Sequence, residues 1–157
     1  MKAMKDWSRT DYCGEVTKES SGKEVTLMGW VQRRRDHGGV IFTDLRDRFG
    51  LVQVVFNPEV EEETFELADQ LRKEYVIAIR GTVKERPKDM INEELTTGEV
   101  EVYANELRIL AEAETPPFLI DDDIKTSEKL RLKHRYLDLR RNPMQDNIKL
   151  RHNVKQA

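Results

Sequence analysis

The residues with the clearest chemical potential are an aromatic ring and an amide on two neighbouring segments that alternate apolar and polar side chains. Phe42 lies in the segment 40–47, and Gln53 lies in the segment 51–56. Because side chains alternate across a strand, Phe42 and Gln53 are expected to point outward together. An exposed ring can stack on a nucleobase, and an amide can pair with a base edge. The pattern also allows core packing for Phe42 and a solvated strand position for Gln53.

Charged residues accompany these two segments. Three arginines at 33–35 precede His37, Lys84 and Arg86 follow a later strand, and Glu101 is a lone carboxylate on a polar strand face. Guanidinium groups can bind phosphates and base edges, although charge runs are also common on faces that contact only water. The net charge of -3 argues against a general nucleic-acid coat protein, because nonspecific affinity grows with the number of phosphates neutralised. A nucleic-acid partner would therefore be recognised by local features.

The elements that position these residues follow from periodicity. Alternation predicts five strands, and a spacing of three over 61–73 predicts one helix, with Arg72 and Lys73 in its last turn. Gly38-Gly39 and a charged turn ending at Gly50 separate the first three strands. Three strands, a helix and two strands match a mainly β fold, the five-stranded Greek-key barrel of the OB type, which binds oligonucleotides and oligosaccharides. The predicted strands are 23–34, 40–47, 51–56, 75–84 and 99–111.

The composition changes after residue 111. Prolines and aspartates in 113–123 are typical of a linker, and 127–156 is basic and helix-prone, with Asn142-Pro143 expected to interrupt it. We therefore expect a barrel domain over 1–112, followed over 113–157 by a linker and a helical tail.

The remaining composition excludes several classes of protein. Cys13 is the only cysteine and the three histidines are scattered, so we expect no intramolecular disulfide and no metal site. No apolar run approaches the roughly 18 residues of a membrane span, and 1–9 lacks the apolar centre of a secretory signal, which predicts a cytoplasmic protein without a membrane partner. The sequence contains no glycine-rich phosphate loop and no catalytic spacing of carboxylates and histidines, so we predict no catalytic residue.

Several stretches in combination resemble one family, the bacterial aspartyl-tRNA synthetases of class II. The segment GWVQRRRDHGGVIF at 29–42 resembles the start of their anticodon-binding barrel, and RLKHRYLDLRR at 131–141 resembles the entry to their catalytic domain. Four further segments resemble the barrel, its fifth strand and the hinge: 44–48, 50–54, 97–102 and 113–118.

The resemblance implies roles for individual residues. Phe42 would stack on an unstacked anticodon base, and Arg35 and Gln53 would meet the Watson–Crick edge of the central uracil. Glu101 would accept hydrogen bonds from the ring and amino N–H groups of guanine at the first anticodon position. Lys84 and Arg86 would lie near the third base and the backbone.

A candidate discrimination loop lies beside these residues at His37, Gly38 and Gly39. The anticodons of aspartate and asparagine tRNA, GUC and GUU, differ only at the third base. Because this flexible loop offers few base-specific groups, we expect relaxed recognition of both tRNAs.

The resemblance also implies what a longer protein would do. Such a synthetase is a homodimer that uses ATP and Mg²⁺ to join aspartate to tRNA. The present chain would end before the catalytic domain, bind tRNA as a monomer without a cofactor, and not catalyse. The alternatives are the anticodon domain of an asparaginyl- or lysyl-tRNA synthetase, a general single-strand-binding OB protein, a protein-interaction OB module and a standalone enzyme.

Overall fold

The computed structural model describes residues 7–157. Residues 1–6, with which the expected first domain begins, lie outside the described part of the chain. Two compact units are present, of which the first extends to Glu114 and the second is Thr115–Ala157. The first unit is built mainly from strands and the second from helices.

Five strands close into a barrel in the first unit, which confirms the predicted OB-type fold. Around the barrel the strands follow the order β1-β2-β3-β5-β4, in which only the β3–β5 pair is parallel among the described strands. The first strand is longer than predicted because it pairs with β4 over its first half and with β2 over its second half. The bounds are β1 Glu24–His37, β2 Val40–Arg46, β3 Leu51–Phe56, β4 Val76–Glu85 and β5 Val100–Ala111.

The barrel interior is filled by the apolar side chains that alternate with Phe42 and Gln53 along β2 and β3. Ile41 and Leu45 of β2, and Val52, Val54 and Phe56 of β3, are buried in one hydrophobic cluster. Burying each such side chain stabilises the fold by about 1.5 to 3 kcal/mol relative to leaving it exposed. Because side chains alternate along a strand, burial of this set leaves the residues between them, including Phe42 and Gln53, on the outer face.

The helix between β3 and β4, α1 (Glu62–Asp69), ends earlier than predicted. The predicted last turn at Arg72 and Lys73 is wrong, because Leu71 leaves the helix to join the buried cluster and its N–H bonds to the carbonyl of Ala68. The Arg72 guanidinium still donates to the carbonyl of the last helical residue at 3.0 Å. The positive charge of Arg72 therefore lies at the carboxyl end of α1, as expected, although Arg72 itself is outside the helix.

One buried carboxylate holds the turn between β2 and β3. Asp47 accepts hydrogen bonds from the backbone N–H groups of Phe49 and Gly50, at 2.8 and 3.2 Å, and from that of Cys13 at 2.8 Å. The 3-10 turn that Cys13 begins packs closely here, since a Cβ at Gly14 would lie 2.1 Å from the Phe49 carbonyl oxygen. Asp47 thus joins the segment before β1 to the barrel.

The Cys13 thiol is predicted to be unreactive in the folded chain. It is fully buried, and burial, followed by the charge and hydrogen bond of Asp47, raises its pKa far above the ordinary value. Because the thiolate is the reactive species, we expect a disulfide reagent at about pH 8 to modify Cys13 only after denaturation. Rapid stoichiometric modification of the native chain would contradict this packing.

Three helices form the second unit: α2 (Glu128–Lys133), α3 (Arg135–Asp138) and α4 (Asn142–Gln156). The helical tail is interrupted at 139–141, directly before Asn142-Pro143, and Pro143 lies in the first turn of α4, where its missing N–H costs no helical hydrogen bond. None of the helices within 7–157 combines the length and the apolar character needed to cross a bilayer.

A buried carboxylate organises the second unit. Asp138 accepts from Arg135 and Arg141 at 2.7 and 3.0 Å, and Arg131 lies 3.7 Å away. Burial by itself would raise the pKa of Asp138, but the hydrogen bond from Arg141 and the positive charges of the three arginines lower it below the usual value. Arg141 also donates to the carbonyl of Asp121 at 2.8 Å, which ties the linker to the helices.

Candidate nucleic-acid interface

Three outward side chains form a row across the barrel wall, which we call the aromatic row: Phe42, Val55 and Tyr103. Phe42 on β2 pairs with Val55 on β3, and Val55 pairs with Tyr103 on β5. Neighbouring strands lie about 4.8 Å apart, so the two aromatic residues are about 10 Å from each other. Phe42 is half-buried and does not belong to the hydrophobic cluster of the interior. The outer face therefore carries two rings on either side of a valine.

A polar row runs beside the aromatic row. Asp44 on β2 pairs with Gln53 on β3, whose Nε2 donates to Glu101 Oε2 on β5 at 3.0 Å. Arg35, near the end of β1, donates to Asp44 at 2.8 Å and to Gln53 Oε1 at 3.0 Å. The structure thus brings three of the predicted site residues, Arg35, Gln53 and Glu101, into one hydrogen-bonded chain.

Gln53 is more shielded than a solvated strand position would be. It is 9% exposed, but the neighbours Val52 and Val54 point into the barrel while Gln53 is covered by polar partners on the outside. Its Oε1 faces the Arg35 guanidinium and its Nε2 faces the Glu101 carboxylate, so a flipped amide would meet like partial charges at both ends. The amide is therefore held in one orientation.

An open pocket of about 470 Å³ lies beside the ring and the amide. All its lining residues except Asp36 and Met90 were predicted as site residues from the sequence. The pocket combines the ring face of Phe42 and the fixed amide of Gln53 with two guanidinium groups. It therefore suits a flat ligand that carries acceptor oxygens. The lining is Arg35, Asp36, His37, Phe42, Gln53, Arg86 and Met90.

Arg86 is the least solvated cation of this pocket. Its side chain is 6% exposed, and its Nε donates to the carbonyl of Val100 at 3.1 Å and lies 3.7 Å from Glu101 Oε2. Burial lowers the pKa of Arg86, while the charges of Glu101 and Asp44 oppose that shift. The buried Nη2 has no hydrogen-bond partner within the described residues. Because an unpaired buried donor is costly, a ligand oxygen that reached it would be bound favourably.

Lys84 and the two glycines of the candidate discrimination loop were predicted as site residues but do not line the pocket. Lys84 pairs with Glu101 across the β4–β5 ladder, but its Nζ lies over the ring of Tyr103, 3.9 Å from the centroid, and it does not line the pocket. Gly38 and Gly39 form the turn between β1 and β2 with φ of 60° and 80°, a region that favours glycine. Of the candidate discrimination loop, only His37 reaches the pocket lining.

Sequence reasoning missed four residues of this face, Asp36, Asp44, Met90 and Tyr103. Tyr103 lies two residues after Glu101 and therefore on the same polar face of β5. An aromatic residue on the face that carries the carboxylate was the signal that could have identified it. Asp44 lies two residues after Phe42 on the same strand face and received no predicted role, although it accepts a hydrogen bond from Arg35. Met90 lies in the loop after β4, where no periodicity could identify it.

Named relatives share most of this sequence. The Aspartate--tRNA(Asp/Asn) ligase of Halothermothrix orenii is 61% identical over 146 residues, which is 93% of this chain and 25% of that protein. The Aspartate--tRNA ligase of Enterococcus faecalis is 58% identical over 146 residues, with the same two coverages, 93% and 25%. The chain therefore spans about a quarter of the length of these relatives.

A solved structure and a family description agree with the barrel. The asparaginyl-tRNA synthetase of Pyrococcus horikoshii complexed with asparaginyl-adenylate superposes with a TM-score of 0.69 at 33% identity, over 85% of this chain and 29% of that one. Residues 25–110 match the tRNA anti-codon family, described as an OB-fold nucleic acid binding domain, and make up more than half of the chain. The chain belongs to this family of OB-fold nucleic acid binding domains.

Proposed function

We propose that the outer face of the barrel binds the anticodon loop of aspartate tRNA, and also that of asparagine tRNA, within an aspartate--tRNA ligase. The observation that carries this proposal is the chain of hydrogen bonds from Arg35 through Gln53 to Glu101, placed beside the Phe42 ring. A base stacked on Phe42 would present its edge to groups already held in position. The high identity to aspartate--tRNA ligases supports the same conclusion.

Gln53 retains the hydrogen-bonding capacity that a uracil edge requires. Its oxygen uses one lone pair for Arg35, and its Nε2 uses one hydrogen for Glu101. The second lone pair can accept from the uracil ring N–H, and the second hydrogen can donate to a uracil carbonyl. Cytosine carries a ring acceptor in place of that N–H, so the second lone pair of the Gln53 oxygen would lose its partner on the ring. We therefore assign the central anticodon base to Gln53 and Arg35.

Glu101 suits guanine at the first anticodon position. Among the four bases, guanine alone presents two adjacent donors, a ring N–H and an amino group, on its Watson–Crick edge. The Glu101 side chain is 12% exposed and lies 3.7 Å from the Nε of Arg86, and its two oxygens can accept both hydrogen bonds. Adenine presents one donor and one acceptor on that edge, so it can donate only one of the two hydrogen bonds.

The third base meets groups that donate without distinguishing the two pyrimidines. Cytosine and uracil share the O2 carbonyl, and the unpaired Nη2 of Arg86 offers a donor for such an oxygen. Lys84 lies farther out, where it would approach the phosphate backbone. We therefore propose relaxed recognition of GUC and GUU, in agreement with a relative whose name includes both tRNAs.

The complete reaction is proposed for a longer protein. In such a ligase, activation of aspartate with ATP and Mg²⁺ and transfer to tRNA would belong to the remaining three quarters of the length that the relatives have. We propose a homodimer for that ligase, with this barrel and the unit that follows it acting as the anticodon-binding domain and the entry to the catalytic domain. Within this division, the barrel binds RNA and holds no catalytic group.

Titration of the 157-residue chain with labelled anticodon stem-loops tests the proposal. We expect loops with GUC and GUU to bind comparably. A loop with a cytosine at the central position should bind about tenfold or more weakly, because the hydrogen bond from the uracil ring N–H to the Gln53 oxygen is lost. Equal binding of unrelated single strands would instead show a general single-strand-binding protein. A strong preference for GUC over GUU would contradict relaxed recognition.

Glu101→Gln is expected to abolish the preference for guanine at the first position. An amide can offer one acceptor and one donor where the carboxylate offers two acceptors, so binding of a GUC loop should fall about tenfold or more relative to an AUC loop. Glu99→Gln is the matched control, because Glu99 is exposed and precedes β5. An unchanged guanine preference in Glu101→Gln would remove Glu101 from the recognition face.

A further inference from the structure

The part of β1 that carries Arg35 has a free edge. β1 pairs with β4 only as far as Trp30, and from Arg33 to His37 it pairs with β2 alone among the described strands. A strand that is paired on one side is held less firmly than one that is paired on both, because half of its backbone groups have no ladder partner. The backbone of Arg35 therefore needs support from elsewhere if its side chain is to keep one position.

Arg34 joins this part of β1 to α1. Its cross-strand partner Thr43 is buried in the barrel interior, so Arg34 lies on the face opposite to Arg35. There its Nη2 donates to Asp69 Oδ1 at 2.6 Å, and its Nε donates to the carbonyl of Ala68 at 3.2 Å. Both partners belong to the last turn of α1, and Ala68 is buried in the hydrophobic cluster. These bonds connect the free edge of β1 to the core of the barrel.

The same guanidinium also holds a residue of the pocket wall. Its Nη1 donates to Asp36 Oδ2 at 2.9 Å, and Asp36 lines the pocket beside Arg35. Each ion pair by itself contributes little, because Asp36 and Asp69 are exposed. However, the Arg34 side chain is only 17% exposed, and a planar guanidinium that makes three bonds at once has one orientation. Arg34 therefore fixes the residues directly before and directly after Arg35.

We propose that Arg34 is a positioning residue for recognition of the central anticodon base, because it holds the backbone from which the Arg35 side chain reaches Gln53. This inference rests on the proposed function, in which Gln53 and Arg35 bind the uracil edge. Arg34 lies on the other face of the strand and does not contact the base in this arrangement. It acts through Arg35, which donates to Gln53 Oε1 at 3.0 Å.

The orientation of the Gln53 amide determines which pyrimidine it accepts. In the observed orientation its oxygen can accept from the uracil ring N–H, whereas a reversed amide would donate to the ring acceptor of cytosine. Two bonds maintain the observed orientation, one from Arg35 and one to Glu101. Displacement of Arg35 removes the first and leaves the second. The preference for uracil over cytosine should therefore fall without disappearing.

Binding of three stem-loops to the 157-residue chain tests the inference, with the melting temperature followed as a check on folding. The loops carry GUC, GCC and AUC, so that GUC against GCC measures the preference at the central base and GUC against AUC measures that at the first base. Arg34→Gln removes the guanidinium that joins β1 to α1. Arg72→Gln is the matched control, because Arg72 donates to the carbonyls of Asp69 and Leu71, both at 3.0 Å, at the same end of α1.

We expect Arg34→Gln to lower the preference for uracil over cytosine about fivefold and to leave the preference for guanine over adenine unchanged. Arg72→Gln should change neither preference, although it removes the same charge from the same end of α1. Introduced into Arg35→Gln, Arg34→Gln should have no further effect on the central base, because it acts through Arg35.

Asp69→Lys tests the same contact without removing Arg34. A lysine is well accepted at the carboxyl end of a helix, so this variant should fold even if Arg34→Gln does not. Its positive charge repels the Arg34 guanidinium in place of attracting it. The preference for uracil over cytosine should fall in the same direction as in Arg34→Gln, while that for guanine over adenine stays unchanged.

The outcomes separate the inference from the proposed function. A normal preference for uracil in Arg34→Gln or in Asp69→Lys, together with a lost preference in Arg35→Gln, overturns the role of Arg34 and leaves that of Arg35 in place. Equal losses of affinity for all three loops also overturn it, because they show that Arg34 supports only the fold or contacts the RNA directly. A loss of preference in Arg72→Gln as large as that in Arg34→Gln assigns the effect to the end of α1 and overturns it too. If the unmodified chain does not distinguish uracil from cytosine, the proposed function and the inference fail together.

Discussion

Phe42→Ala is expected to weaken binding of a GUC anticodon stem-loop by about 1 to 3 kcal/mol, or about 5- to 150-fold. The ring stands on the outer face between Arg35 and Val55, its partners in the two neighbouring strands, and lines the pocket with Gln53. A base that stacks there loses most of its contact area when the ring is removed. Fluorescence anisotropy with the labelled stem-loop measures the change.

Phe49→Ala is the control for this variant. Phe49 is 50% exposed in the turn after β2, where its ring contacts that of Tyr12 at an angle of 50° with the centroids 4.2 Å apart, and it lies outside the pocket lining. It therefore removes an exposed ring of the same type at the other end of the strand. Equal losses of affinity in the two variants would show that RNA does not distinguish the two ends of β2.

Asp47→Ala is expected to destabilise the first unit by roughly 3 kcal/mol or more. The carboxylate is buried and accepts from three backbone N–H groups, of which that of Cys13 is buried and the other two are partly buried. A buried donor left unpaired costs about 1 to 3 kcal/mol, and each partly buried hydrogen bond adds about 0.5 to 1.5 kcal/mol. Such a loss corresponds to a fall in Tm of roughly 6 to 12 °C for a chain of this size. Thermal and urea denaturation followed by circular dichroism measure it.

Two further variants give this prediction its controls. Asp47→Asn keeps the oxygen that serves Phe49 and Gly50 but turns an amide N–H toward the Cys13 N–H, so its loss should be intermediate. Asp89→Ala removes an exposed carboxylate and should change stability by less than about 0.5 kcal/mol. If Asp47→Ala were as stable as Asp89→Ala, with Cys13 still protected from thiol reagents, Asp47 would not hold the turn.

Much of the barrel could be predicted because strand periodicity is a local property of the sequence. The alternation of Val52, Val54 and Phe56 with Leu51, Gln53 and Val55 placed β3 at its observed bounds and assigned its two faces. Helix ends were less predictable. The end of α1 depends on Leu71 reaching the barrel interior, which is a tertiary contact that a three-residue spacing does not reveal.

For the site, the sequence predicted which residues take part but not the contacts between them. Phe42 and Gln53 follow from alternation, but the bond between Gln53 and Glu101 requires β3 and β5 to lie side by side, and these residues are 48 positions apart. The burial of Arg86 likewise depends on how the chain after β4 folds over the pocket. Lys84 was predicted near the third base with Arg86, whereas the structure places it over Tyr103.

Titration of the ¹⁵N-labelled chain with a GUC anticodon stem-loop, followed by nuclear magnetic resonance, tests the central claim most directly. We predict the largest shift changes for the side-chain amide of Gln53 and for the backbone amides of Phe42, Val55 and Tyr103, with little change at Phe49 or in α1. Shift changes confined to the Phe49 turn or to α1, with an unperturbed Gln53 side chain, would contradict recognition of the anticodon by this face.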